Sequence, residues 1–489
     1  MAPETAALRS GKRPGRLKRL GKLLCLAFLL AVIGLVVLWG GARYAGHFVP
    51  GVPDNPGEGL YAGRTPSELI RYAKRRLSGH TRLERVALPI IDTVQQWYER
   101  PVPSEIDTLG KGQKKAPVEI ELLPDVRVAS VDELAKAMRA ARAGQTIEIL
   151  PGEYRIQKRL ETGRAGTPAA PITVRAADIG TVTLLIAASE GIKFTKPHWI
   201  IENISFRGVC TEDRYCDHAF HVVGAAAHTT IRNNHVQDFN AHVKVNGEGG
   251  TWPDDGLLQF NTLTNTRPRN TTVSVTPFDL VGANGWRVED NLVTHFVKSD
   301  GNKVAYGLFM KGNSQGGVIE RNLVICSPQD ISAPGVRVGI SFGGGGTGQD
   351  FCRDKDCRFE HRFGRIANNV VAHCNDFGID AVKAEDVQIA FNTLINTSGI
   401  DIRGRDTTAR VFGNLLEGTI RSRDGATIAQ EKNEITNLSK LFVNADALRL
   451  AWPELREPVA TPADVLTDFC EVSRGAAGFL GATSSRGGC

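Results

Sequence analysis

Net charge is almost absent from this chain once its first 22 residues are set aside. The 489 residues sum to +6, and residues 1–22 alone hold seven Lys/Arg against Glu4, so residues 23–489 balance to zero. The pI of about 8.8 is therefore local to one end and excludes no class except one: it is no evidence for nucleic-acid binding. Paired Cys-x-x-Cys spacing is also missing, which argues against zinc and leaves it as the sharper alternative to disulfides. No Lys-Ser/Thr follows the tetraglycine Gly343–Gly346, so that run is a corner with close backbone approach and not a phosphate loop. With 42% hydrophobic and 23% charged residues the chain can bury a large core and is not a disordered polymer.

What the chain has instead is a repeat. Gly307–Cys326 sets out an alternating strand, a glycine-containing corner, a second alternating strand and an asparagine, and that order recurs. The second strand ends on Asn203, Asn234, Asn261, Asn291, Asn322, Asn369, Asn392 and Asn414, with a weaker copy at Asn433. Successive asparagines lie 31, 27, 30, 31, 47, 23, 22 and 19 residues apart, a spacing that signals a solenoid. Apolar residues alternate with polar ones inside each copy, which is the period of a strand and excludes helical repeats. The fold class is therefore all-β, a parallel β-helix. Stacking predicts an internal asparagine ladder whose amides satisfy buried turn groups.

The apolar run Leu23–Ala42 carries no charge over twenty residues, enough to span a bilayer core. The basic residues before it predict a cytoplasmic N-terminus, a single-pass anchor in the inner membrane, and a periplasmic or extracellular remainder. A cleaved signal peptide is the alternative, with Gly40 and Ala42 before the cut, but the run exceeds a usual signal core. Cys25 lies inside it. Eight cysteines remain, an even number that suggests disulfides in an exported chain. Cys210 with Cys216 and Cys352 with Cys357 are the local pairs, and Cys326 and Cys374 follow successive rung asparagines closely enough to stack or bond.

Residues 1–22 form the basic tail, 23–42 the anchor and 43–117 a juxtamembrane linker with short helices, one starting at Thr65-Pro66 and one over Leu83–Trp97. Lys111–Lys115 reads as a polar loop. The β-helix spans 118–470, and 471–489 is a Gly/Ser-rich tail. Ser130-Val-Asp-Glu133 is a capping box opening an amphipathic helix over Leu134, Ala137, Met138 and Ala141, suited to cover the apolar end of a solenoid. Two insertions, Gly247–Asp255 and Gly343–Phe363, lengthen rungs, and long loops in compact repeats are often functional.

Inward residues fill the core, so chemistry belongs to outward residues of the strand before each corner. Alignment on corner glycines places His221, Asp279, Phe309, Ser341, Asp380, Asp401 and Arg421 in one outer column. The neighbouring column holds Val223, Val281, Lys311, Gly343, Val382 or Lys383, Arg403 and Arg423. Asp380 and Asp401 fall on adjacent rungs about 5 Å apart, where repulsion raises one pKa. Surrounding Arg and Lys suit the carboxylates or sulfates of an acidic sugar. The catalytic candidates are Lys311, Asp380, Lys383, Asp401 and Arg403. Asp279, Arg421, Arg423 and His361 are the substrate-binding candidates. A self-compensating ladder of Asp against Arg is the competing interpretation.

The lid helix followed by Thr146-Ile-Glu-Ile-Leu-Pro-Gly-Glu-Tyr154 resembles the opening of right-handed parallel β-helix proteins of the polysaccharide-lyase type, which implies a right-handed coil here. The whole arrangement resembles the chondroitinase B and alginate lyase family. That resemblance implies β-elimination on an acidic polysaccharide by a Lys and an Arg beside a calcium held by acidic and amide side chains. Lys311 occupies the comparable strand-corner position in Met310-Lys-Gly312 where the family tends to Arg-His-Gly, and Asp279 is the only carboxylate in the aligned strand. The chain also resembles bacterial exported β-helix repeat proteins through Gly339–Thr347, Asn375–Asp380 and Gly399–Arg403. A glycoside hydrolase using Asp380 and Asp401, or a non-catalytic glycan-binding envelope scaffold, are the rival functions.

Overall fold

A computed structural model describes residues 81–489 apart from 99, 101, 115–122, 345–346, 453–457, 462–464, 466 and 484–488, together with residues 70, 73, 74 and 77. The apolar run Leu23–Ala42, the basic tail and the helix start at Thr65 lie outside these residues. Among the described residues no helix is long and apolar enough to cross a membrane.

Three long parallel sheets form the body, of twelve, eleven and ten strands among the described residues. The first runs from Val126–Val128 to Thr427–Glu431, the second from Gly152–Ile156 to Glu434–Ile435, and the third from Leu160–Glu161 to Thr419–Arg423. One rung visits them in turn: Trp199–Glu202 in the first, Ser205–Gly208 in the second, His218–Val223 in the third, then back to Thr230–Arg232 in the first. This is a parallel β-helix. Alternation decides what fills it: in the third sheet Phe220, Phe278, Leu308, Ile340, Ile379 and Ile400 are all fully buried.

The asparagine ladder forms, with one correction. Asn322 accepts from Asn291 through its Oδ1 and donates to the carbonyls of Val288 and Glu320 at 2.8 and 3.0 Å, and the same pattern runs from Asn234 to Asn433. Asn203 is not a ladder member. Arg232 pairs with Glu202, so Asn203 stands level with Asn233, one residue early, and Ile204 takes the ladder position and donates its N–H to Asn234. The residue before each ladder position turns the chain with positive φ: Asn203, Asn233, Phe260, Asp290, Arg321, Asn368, Phe391 and Lys432 lie at 52–64°, and Gly413 at 68°. That conformation costs roughly 1–2 kcal/mol without glycine. The amides behind it offset the cost by satisfying carbonyls that would otherwise be buried and unpaired.

Helix α1, Thr81–Tyr98, contains the expected Leu83–Trp97 helix and rests on the coil, Gln95 donating to Ser332 at 2.9 Å. Helix α2, Val131–Ala140, caps the first rungs. Ser130 accepts from the N–H of Glu133, and Leu134 and Met138 are buried. Gly163 donates to Met138 where a Cβ would stand 2.1 Å from the Arg139 carbonyl, so only glycine lets the lid close. Lys111 lies in the expected loop but is buried, 2.5 Å from Asp290. Among the described residues after Leu438, Phe442, Leu450 and Phe469 cover Leu323, Val370 and Leu415 on the outer face of the second sheet. Cys210–Cys216, Cys326–Cys374, Cys352–Cys357 and Cys470–Cys489 are all disulfides, which removes the thiolates a zinc site would need.

Candidate functional site

The outward residues of the third sheet stack as register dictates. His221 pairs with Lys193 and Lys244, Lys244 with Asp279, Asp279 with Phe309, Phe309 with Ser341, Ser341 with Asp380, Asp380 with Asp401, and Asp401 with Arg421. Lys193 and Lys244 are the members that the corner alignment missed. Lys244 sits in Ala241-His-Val-Lys-Val-Asn-Gly247, which carries the same alternation, but the Gly247–Asp255 insertion begins at its corner and disguises it.

Two charged poles result. At the first, Asp279 lies between Lys244 at 2.6 Å and Lys311 at 3.6 Å. Burial works against ionising it, but the two ammoniums prevail and hold its pKa down at about 2. Lys311 also stands 4.4 Å over the Phe309 ring, which Tyr306 stacks against. At the second pole Asp401 receives Arg423 at 2.7 Å, Arg421 at 3.3 Å and Arg403 at 3.6 Å. Asp380, beside it, has Arg403 at 3.5 Å, and its Oδ1 is buried with no hydrogen-bond partner. Burial above all, with the charges of Asp401 and Asp376, pushes Asp380 up to about 7 against the pull of Arg403.

Three expectations need correcting. Lys383 does not share the face: Val382 pairs with Arg403, and Lys383 turns the corner with φ 51°, exposed. His361 is fully buried, stacked on Phe342 and bonded to Ser314 at 2.7 Å. Burial drives its pKa down to about 3, so it is a neutral core residue and touches no substrate. Lys311 and Arg403 share a column but not a site. Lys311 is level with Gly343, which is level with Val382, itself paired to Arg403. That is three strand spacings, about 14 Å at ~4.8 Å each.

Both insertions meet at the corner beside Lys311. Arg353 of the longer one grips Asp254 of the shorter with two bonds of 2.7 and 3.0 Å, lies 5.0 Å over Trp252, and donates its backbone N–H to Gly312. Glu360 accepts from the Gly312 N–H at 2.8 Å, and burial raises its pKa. Gly344 approaches Phe309 so closely that a Cβ would stand 2.8 Å from the ring.

The calcium implied by resemblance does not fit this donor set. Asp279 is flanked by two ammoniums where a hard cation needs several oxygens. Among the described residues the one compact group of potential ligands is Cys352, Cys357 and Glu360, and its sulfurs are bonded to each other.

The fold is similar to the crystal structure of pectate lyase Pel9A, with a TM-score of 0.53 and 15% identity over 74% of this chain and 97% of that one. An alginate lyase from Paenibacillus sp. str. FPU-7 (TM-score 0.40, 14% identity, 64% and 96% covered) and a rhamnogalacturonan lyase (0.41, 14%, 71% and 91%) are also similar. No protein-family model and no curated protein sequence matches the chain. At this identity the likeness is one of fold: the chain is a parallel β-helix, similar in fold to a pectate lyase.

Proposed function

We propose that the third sheet binds an acidic, uronic-acid polysaccharide and that the chain cleaves it by β-elimination, outside the cytoplasmic membrane and anchored there by Leu23–Ala42. The observation that supports binding is the layering of charge. The side chains of Asp279, Asp380 and Asp401 are 7%, 3% and 0% exposed, while Lys244, Lys311, Arg403, Arg421 and Arg423 above them are 19%, 17%, 32%, 28% and 41% exposed. A polymer laid on this face meets ammonium and guanidinium groups and not the carboxylates beneath. Guanidiniums bind sugar carboxylates with charge-assisted, paired bonds.

β-Elimination needs a cation on the uronate carboxylate and a base for the proton on the adjacent carbon. Lys244 and Lys311, gathered on one aspartate, meet both needs. Lys244 neutralises the carboxylate, Lys311 is the base that takes the C5 proton, the C4–O bond breaks as C4=C5 forms, and the glycosidic oxygen leaves with a proton from solvent while Lys311 returns its own to solvent. Arg403, Arg421 and Arg423 hold the chain further along. The hydrolase alternative has the right carboxyl spacing for a retaining mechanism, about 5 Å, but Asp401 is wholly covered by three arginines.

The test is incubation of the full-length chain with polygalacturonate, alginate and chondroitin sulfate. Elimination gives a product absorbing in the near ultraviolet; new reducing ends without that absorbance mark a hydrolase. Binding with neither marks a scaffold.

A further inference from the structure

Asp380 and Asp401 stand in register on adjacent strands, about 4.8 Å apart, yet they share their cations unequally. Asp401 collects contacts from Arg403, Arg421 and Arg423, three of them from the Arg423 guanidinium at 2.7, 3.0 and 3.1 Å. Asp380 has one contact, to Arg403 at 3.5 Å, and one buried oxygen with no partner. The groups that face it are Ser341 on one neighbouring strand, Asp401 and Arg403 on the other, Asp376 from the preceding turn, and Tyr306 and Arg423 at longer range. Like charges placed directly opposite across strands are destabilising, and geometry makes Asp380 the member that takes a proton.

Protonation changes what the cluster offers outward. Around the three guanidiniums of Arg403, Arg421 and Arg423 stand Asp380 and Asp401, Asp424 on Arg423 at 3.1 Å, and Asp376 beside Asp380; protonating Asp380 removes one negative charge from these four carboxyl groups. The net charge of the cluster then rises by one, and the guanidiniums are the exposed layer.

We propose that Asp380, Asp401, Arg403, Arg421 and Arg423 form a proton-coupled anion subsite, in which a sugar carboxylate or sulfate binds the guanidiniums as Asp380 takes up one proton from solvent. The sugar class rests on the acidic-polysaccharide reading above; the coupling does not. Linkage requires reciprocity: the anion tightens the proton, and the proton tightens the anion. Asp380 titrates at about 7, so the coupling operates around neutrality.

The experiment is calorimetric titration of the full-length chain with sodium sulfate, and separately with polygalacturonate, from pH 6 to 8 in two non-binding buffers of different ionisation enthalpy. The expected result is proton uptake on binding and affinity roughly three- to tenfold weaker at pH 8 than at pH 6. Asp380→Asn keeps the shape, loses the uptake and flattens the pH profile. Uptake retained in Asp380→Asn, or a flat wild-type profile, overturns the coupling, and the wild-type profile decides the matter should the variant not fold. Polygalacturonate bound without proton uptake sinks the coupling and leaves the polysaccharide reading intact. Sulfate-linked uptake with no polygalacturonate bound does the reverse, and binding of neither anion overturns the subsite itself.

Discussion

The outer faces of the first and third sheets carry similar numbers of charges and arrange them oppositely. On the first sheet, sign alternates over the first five strands: Arg127 stands level with Glu148, Glu148 with Arg175, Arg175 with Glu202 and Glu202 with Arg232; further on, Glu289 stands level with Glu320, but the two are held among the guanidiniums of Arg287, Arg321 and Arg365. Each carboxylate there finds a guanidinium on the next strand, as Glu148 does at 3.1 and 3.4 Å and Glu202 at 2.5 Å. On the third sheet like stands on like: Lys193, His221 and Lys244 in sequence, Asp380 against Asp401, Arg403 against Arg423. Compensation is uneven there: Lys244 meets Asp279 and Arg421 meets Asp401 in register, while Asp380 has Arg403 at 3.5 Å and keeps one buried oxygen without a hydrogen-bond partner. A carboxylate ringed by guanidiniums needs no ligand, whereas Asp380, set against a like charge with a single cation at 3.5 Å, works against the fold and marks where function is to be sought.

The largest expected effect separates the faces by chemistry. Lys311→Ala should lower formation of the ultraviolet-absorbing product by about 10²–10⁴-fold, read as initial rate, with polymer affinity changed little; unchanged turnover on every uronic-acid polymer would remove Lys311 from the site. Next comes binding. Arg403→Ala combined with Arg421→Ala should weaken polymer affinity at least tenfold, about 1.4 kcal/mol, in calorimetry, while Arg175→Ala with Arg232→Ala on the first sheet leaves it unaltered. Equal losses from both pairs would mean that neither face is special.

A third contrast is in stability against pH. Asp380 is raised to about 7 in the folded chain from roughly 3.9 unfolded, so the native state holds its proton more tightly. That contribution is fully present below about pH 4 and lost as pH rises through about 7. Asp380→Asn should therefore gain in melting temperature over the wild type between pH 5 and pH 8, and a constant difference would count against the raised pKa. The smallest effect is on the first sheet: Arg127, 61% exposed beside Glu148, should cost no more than about 1 kcal/mol in denaturant melts on mutation to Ala.

Much of the coil was legible in the chain. Alternating apolar residues from Trp199 to Phe412, the corner glycines and the ladder from Asn234 to Asn433 are local signals repeated in every rung, so each copy supports the next. Asn203 was misassigned because Glu-Asn ends its strand as Asn-Asn does in the following rung, and only register distinguishes a turning residue from a ladder residue. The charged columns were largely legible too, since Asp380 and Asp401 precede similar corners. Lys244 was hidden by an insertion, and Lys383 was displaced by one residue, which in a strand moves a side chain to the other face. Nothing in Phe359-Glu-His-Arg362 marks His361 as buried, because its burial depends on Phe342 and Ser314, which lie far from it along the chain.

By itself the sequence determined a coil of strands, two of them with the corner between in each turn, and the side on which polar residues emerge, because strand period and turn chemistry act between near neighbours in the chain. Tertiary structure alone decided which charges meet. Residues 20 to 50 positions apart are brought to strand spacing by stacking, and at that distance burial and register settle whether a carboxylate is paired, covered or left to take a proton.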